Sequence, residues 1–225
     1  MSQMEHQDST TLPRSQYYYN VIPIYAGGVK RLVDVVLSLM LLPMIVPLVL
    51  VLCILVSRDG GSGLFGHARV GKGGKTFKCW KIRTMVPDAQ ERLEALLEAD
   101  PIARAEWEKD RKLRNDPRVT PLGAFLRKTS LDELPQLWNV LKGEMSLIGP
   151  RPVTESELTM YGKFADVYML LRPGVTGLWQ VSGRNDVSYQ ERVELDVHYY
   201  NRVSLWLDLQ ILSKTAYSVI GRTGC

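Results

Sequence analysis

Two adjacent carboxylates, Asp132 and Glu133, lie inside the run Arg127-Lys128-Thr129-Ser130-Leu131-Asp132-Glu133-Leu134-Pro135-Gln136. Pro135 cannot lie deep in a helix, so a helix must begin within the few residues before it. Ser130-x-x-Glu133 reads as a capping box, and acids at a helix start suit its dipole. That is a sufficient structural reason for the pair. The surroundings add a chemical one. Arg127 and Lys128 lie just upstream, Gly149-Pro150-Arg151-Pro152 holds an arginine between two prolines, and Gly183-Arg184-Asn185 offers a further cation on a loop. Adjacent carboxylates beside phosphate-seeking arginines suit a divalent metal, best a Mg²⁺ held partly by substrate phosphates. A carboxylate can also attack phosphorus, as in aspartyl-phosphate enzymes.

The elements that must hold these groups begin with a long apolar run. Val35 to Val56 carries no charge, and only Ser38 is clearly polar. As a straight helix it would reach roughly 33 Å, enough to span hydrocarbon. Pro43 and Pro47 interrupt it, and each removes a backbone donor. Lys30 and Arg31 flank its front. Behind it, residues 57–83 carry seven Lys/Arg against Asp59 alone. Basic flanks on both sides place both ends on the cytoplasmic face. Two topologies fit: a helix–break–helix hairpin turning at the prolines, which we favour, or a kinked span. A hairpin beside the carboxylates points to a lipid phosphate as one substrate.

The chain has 225 residues, 45% hydrophobic and 23% charged, with a net charge of +4. That balance excludes a disordered or collagen-like chain and a polytopic membrane protein. Three cysteines without a C-x-x-C pair exclude a disulfide scaffold and a cysteine zinc site. No helix-turn-helix, zinc finger or RNA module accompanies the basic block, so no nucleic-acid partner is expected. Gly61-Ser62-Gly63-Leu64-Phe65-Gly66 mimics a dinucleotide fingerprint, but a membrane segment precedes it and a strand follows. Gly74-Lys75-Thr76 mimics a P-loop end, but Arg69 stands where its glycine should be.

Patterning predicts an α+β, mostly helical chain. A β-hairpin is expected over 64–70 and 76–84, then a helical pair restarted by Pro101. Short helices follow over 121–128 and 131–141. A capping box at Thr154-Glu155-Ser156-Glu157 opens a helix to about Leu170. Residues 173–187 read as a glycine-rich loop, and helices over 187–202 and 204–220 close the chain. The last is apolar enough to lie in a membrane interface.

Several long stretches resemble the bacterial sugar transferase family, the monotopic phosphoglycosyl transferases. They are Lys30-Arg31-x-x-Asp34, Lys75-Thr76-Phe77-Lys78 through Lys81-x-Arg83-Thr84-Met85, and Asn115-Asp116-Pro117-Arg118-Val119-Thr120. Further matches are Leu126–Gln136, Met145-Ser146-Leu147-Ile148-Gly149-Pro150-Arg151-Pro152, and Arg172-Pro173-Gly174-Val175-Thr176-Gly177-Leu178-Trp179-Gln180. The run Ser182–Tyr189 is most similar to ExoY-type exopolysaccharide initiators. The resemblance implies transfer of a hexose-1-phosphate from a UDP-sugar to undecaprenyl phosphate, releasing UMP. UDP-glucose or UDP-galactose would be the donor. It implies Asp132 as nucleophile, with Glu133 helping to bind Mg²⁺. It implies Arg151, with Arg127, Lys81 and Arg184, as substrate-binding residues, and Pro43 as the membrane break. The expected layout is a poorly ordered arm over 1–27, a re-entrant membrane helix over 28–57, and a catalytic domain over 58–225. Amphipathic helices would hold that domain at the cytoplasmic face of the bacterial inner membrane, in contact with its lipids. The minimal family form, without a large N-terminal membrane domain, and a homodimer are further expectations.

Overall fold

The computed structural model describes residues 25–110, 113–182 and 187–220. The apolar run forms one helix, α1 (Lys30–Val56), entered through a π-turn at Tyr25–Val29. Helix therefore begins before the expected boundary at residue 28. Tyr25 belongs to the body, donating its hydroxyl to Asp208 at 2.7 Å. Residues 1–24 of the expected arm lie outside the described residues.

The expected helix–break–helix is not seen at Pro43. Helix α1 continues through both prolines. Pro43 and Pro47 are four residues apart and therefore share a face, and both are exposed. Their missing donors and ring clashes fall on the outer side, where the helix can open without losing a contact to the body. The inner stripe is Asp34, Ser38, Ile45, Leu52 and Val56, all buried. The outer face exposes Leu39, Met40, Met44, Leu50, Val51 and Ile54.

Both ends of α1 are tied to the same body. At its start Lys30 pairs with Asp208 at 2.6 Å, and Arg31 donates to the carbonyls of Val140 and Leu141 at 2.5 and 2.9 Å. Asp34 accepts from the Ser146 hydroxyl at 2.8 Å and the Leu147 N–H at 3.0 Å. At its end Arg83 donates to the Val56 carbonyl at 3.1 Å and pairs with Asp59. Gly63 packs so closely that a Cβ there would stand 2.8 Å from Cys53 atoms. Between them, Ile45 joins the main core with Leu137, Val140, Met145, Leu147 and Ile211.

The hairpin forms as expected. β1 (Leu64–Val70) and β2 (Thr76–Ile82) pair antiparallel from Leu64↔Ile82 to Val70↔Thr76. Helices α2 (Ala89–Ala99), α3 (Pro101–Asp110) and α4 (Pro121–Thr129) follow. The expected helix over 131–141 is divided into a tight turn at Leu131–Glu133 and α5 (Gln136–Lys142), because Pro135 stands between them. Asn139 of α5 straps β2: it accepts from the Trp80 N–H and donates to the Lys78 carbonyl.

The stretch read as a glycine-rich loop contains a strand. β3 (Ser146–Ile148) and β4 (Gly174–Thr176) pair in parallel. Glycine is required here, since a Cβ on Gly174 would fall 2.1 Å from the Gly149 nitrogen. Strands of three residues are too short to show the alternation that betrays a strand. The Thr154 capping box is present, but its helix stops early and resumes, giving α6 (Glu155–Thr159) and α7 (Ala165–Leu170) around Gly162 at φ +51°. A second capping box at Ser188 opens α8 (Tyr189–Arg202), and α9 (Leu205–Ile220) follows. α9 buries Asp208 and Ile211 while exposing Leu205, Trp206, Leu209 and Tyr217.

Candidate active site

Ser130 ends α4 in the left-handed conformation at φ +56°. Its side chain makes no cap, so the expected Ser130–Glu133 capping box is not formed. The reason is local. Ser130 serves as the C-cap of α4, and a residue turned that way presents its carbonyl, not its hydroxyl, to the next turn. The Glu133 N–H meets the Ser130 carbonyl at 3.3 Å. This reversal drives Asp132 inward, where it is 7% exposed, and leaves Glu133 half-buried beside it.

β2 supplies the cation. The Lys81 ammonium pairs with Glu133 at 2.5 Å and stands 3.8 Å from Asp132. Burial pushes the Asp132 carboxyl up to about 6, and the Glu133 charge acts in the same direction. Lys81 and Arg127 pull it back. Arg127, on the last turn of α4, is held by a bond from its Nε to Thr84 Oγ1 at 2.9 Å. Lys81, Arg127, Asp132 and Glu133 therefore meet in one place.

The reading from residue chemistry missed Asp116 and Arg118. Arg118 donates to both oxygens of Asp116, at 2.8 and 2.7 Å, and lies over the Trp107 ring at 5.1 Å. Burial works against the Asp116 charge, yet Arg118, with help from Arg127, holds its carboxyl below the usual range. The tripeptide Asp116-Pro117-Arg118 was the available signal, because it puts opposite charges two residues apart around a rigid turn.

Arg151 follows β3. Its guanidinium lies 5.8 Å from the Trp179 ring and hydrogen-bonds to no described residue. Arg192 of α8 approaches the same ring at 4.7 Å. Nearby, Arg69 pairs with Glu157 at 2.7 Å. The buried Cys79 thiol is pushed up to about 11, mainly by burial, and feels Lys81, Glu133, Arg69 and Arg151. Those four charged groups all lie within electrostatic range of one point on β2. Arg184 lies outside the described residues. Pro43 is on α1 and takes no part in this cluster.

No group of three or more His, Cys, Asp or Glu gathers among the described residues. The acidic pair alone is a meagre donor set, with Glu133 already engaged by Lys81. It fits an ion that takes most of its oxygens from phosphates and water, which is the habit of Mg²⁺. It does not fit a metal needing nitrogen or sulfur ligands. Paired carboxylates with flanking cations suit phosphoryl transfer assisted by a phosphate-bound Mg²⁺.

Comparison with known proteins agrees with that chemistry. The family described as bacterial sugar transferase matches residues 25–222. The chain is 57% identical over 195 residues to the undecaprenyl-phosphate galactose phosphotransferase of Salmonella typhimurium, covering 87% of this chain and 41% of that protein. It is 55% identical over 195 residues to the UDP-galactose-lipid carrier transferase of Erwinia amylovora, again 87% and 41%. It is 52% identical over 194 residues to the exopolysaccharide production protein ExoY of Rhizobium meliloti, covering 86% of each. The chain thus spans less than half of the first two relatives and most of the third.

Proposed function

Because the chain belongs to the bacterial sugar transferase family, we propose that it transfers a hexose-1-phosphate from a UDP-sugar to undecaprenyl phosphate. UMP is released, and the product begins an exopolysaccharide repeat unit. The observation that carries this reading is the buried Asp132 with Lys81, Glu133 and Arg127 around it. Two relatives carry galactose in their names, which makes UDP-galactose the first donor to test and UDP-glucose the second.

In the proposed route an Asp132 carboxylate oxygen attacks the β-phosphorus of the donor. The bond from that phosphorus to the bridging oxygen breaks, and UMP leaves with the electron pair. The sugar-1-phosphate stays on Asp132 as an acyl phosphate. An oxygen of undecaprenyl phosphate then attacks the same phosphorus and frees the carboxylate. Asp132 and Glu133 would hold the Mg²⁺, which when bound supplies charge neutralisation at the diphosphate. Lys81 orients Glu133 and favours the ionised form of Asp132. Arg127 and Arg151 bind phosphate oxygens. Two steps avoid direct attack of one anionic phosphate on another, which charge repulsion opposes.

We read α1 as monotopic, an unbroken helix set by its outer face into the cytoplasmic leaflet of the inner membrane with both ends on the cytoplasmic side. Cations flank both of its ends. The ties from Lys30, Arg31 and Asp34 at one end, and from Arg83 at the other, reach a single body. A helix crossing a bilayer would need about 30 Å of hydrocarbon between its ends, and that body would have to sit in it. The exposed apolar faces of α1 and α9 would then rest in lipid.

Incubating the purified chain with undecaprenyl phosphate, Mg²⁺ and a panel of UDP-sugars tests the reaction. Lipid-dependent UMP release with UDP-galactose or UDP-glucose is expected. No release with any UDP-sugar would contradict it.

A further inference from the structure

A small cleft of about 50 Å³ opens where α1 begins. It lies away from the carboxylate pair. α5 separates the two: its first turn follows Asp132, while its last carbonyls, from Val140 and Leu141, meet Arg31 at the cleft. β2 is a second ruler. Lys81 sits near one end of it and Lys72 in the turn beyond the other, so Thr76 to Lys81 alone covers roughly 17 Å.

Four cations line the cleft: Lys30, Arg31, Lys72 and Arg172. Lys30 has a carboxylate partner, Asp208. Among the described residues, Arg31 and Arg172 donate only to main-chain carbonyls, Arg172 to that of Gly143 at 2.9 Å. Their like charges lie within Coulomb range of each other. Lys72 is exposed and makes no ion pair among the described residues. Asp34 is the one acid on the lining among the described residues, and its oxygens are taken by Ser146 and Leu147. The cleft therefore carries an excess of positive charge with N–H donors to spare. Its wall includes the partly exposed Leu170. A basic cleft with the exposed Leu170 on its wall suits an anion that carries an acyl chain.

We infer that this cleft holds the phosphate headgroup of an anionic phospholipid and fixes the start of α1 to the body at headgroup depth. The resident lipid is not the reaction's acceptor, whose phosphate has to reach Asp132. The inference does not rest on the proposed reaction, and its test reads binding rather than turnover.

The full chain, purified in a zwitterionic detergent, is titrated with dioleoylphosphatidylglycerol while its Tm is followed. Parallel titrations use dioleoylphosphatidylcholine and inorganic phosphate. The anionic lipid should raise Tm by at least about 3 °C at saturation, and the other two should not. Lys72→Glu and Arg172→Gln should each weaken the apparent affinity at least tenfold. Lys75→Glu, in the same turn but off the lining, should respond as wild type, as should Asp132→Asn. A shift produced equally by inorganic phosphate would give the cleft to a soluble anion and overturn the headgroup assignment. No shift, or one unchanged in Lys72→Glu and Arg172→Gln, would overturn the site itself. Equal losses in Lys75→Glu and Lys72→Glu would reduce it to general surface attraction.

Discussion

One ammonium serves two carboxylates: Lys81 pairs with Glu133 at 2.5 Å and stands 3.8 Å from Asp132. Asp132 titrates at about 6 because burial outweighs the help of Lys81 and Arg127. Only its ionised form can attack phosphorus, so kcat/KM should rise with pH through about 6. Lys81→Met removes a cation that favours ionisation. Its rising limb should therefore move to higher pH, with lower activity at pH 7. Initial rates from pH 5 to 8 decide this, and a limb in the same place in both enzymes would separate Lys81 from the ionisation of Asp132.

Two arginines should fail in different ways. Arg151 hydrogen-bonds to no described residue, so Arg151→Ala should raise the KM for the UDP-sugar at least tenfold while moving Tm by under about 2 °C. Arg118 is buried in a bidentate pair with Asp116. Arg118→Ala leaves that carboxylate with only a backbone N–H and the more distant Arg127, and should cost about 3 kcal/mol of stability. Thermal melts beside donor titrations separate the two. A large Tm loss in Arg151→Ala would make Arg151 structural.

The carboxylate motif was legible in the sequence because it is contiguous and its residue types are chemically explicit. Its surroundings were less so. Ser130 carries the right side chain for an N-cap, but the helix before it claims the residue as a C-cap. The Asp132 burial that follows depends on a left-handed turn that no periodicity announces. β3 and β4 escaped for another reason. They are three residues each and pair in parallel across 28 positions, so their evidence is tertiary. The hairpin, the Thr154 capping box and the helix starts at Pro101 and Pro121 were readable because local chemistry alone dictates them. At Pro43 local chemistry misled: two prolines on the exposed face do not end a helix whose opposite face is packed.

Asp34 anchors the start of α1 through Ser146 and Leu147. Asp34→Ala strands the buried Leu147 N–H, while the Ser146 hydroxyl keeps the Ile148 carbonyl, a loss of about 1–3 kcal/mol. Tm should fall, and limited proteolysis near Tyr25 should quicken. Unchanged melting and cleavage would show that the helix is held by its apolar stripe alone.

Asp196 is buried with one donor among the described residues, the Tyr161 hydroxyl at 2.8 Å, and its other oxygen has no partner among them. Burial raises it to about 7 despite that bond. A carboxyl raised on folding favours the folded state while protonated, so its contribution is present at low pH and is lost as pH rises through 7. Tm should therefore fall between pH 6 and pH 8 in wild type by more than in Asp196→Asn. Parallel slopes in the two proteins would contradict this.

The covalent step is the centre of the proposed mechanism, and one measurement reaches it directly. Wild-type enzyme is mixed with Mg²⁺ and a UDP-sugar radiolabelled in the sugar, without lipid acceptor, then quenched rapidly. Protein-bound label and a single burst of UMP, up to one equivalent per active site, are expected. Undecaprenyl phosphate should discharge the label, and Asp132→Asn should never acquire it. Active wild type that shows neither label nor burst at the shortest quench times would contradict a phosphosugar carried on Asp132.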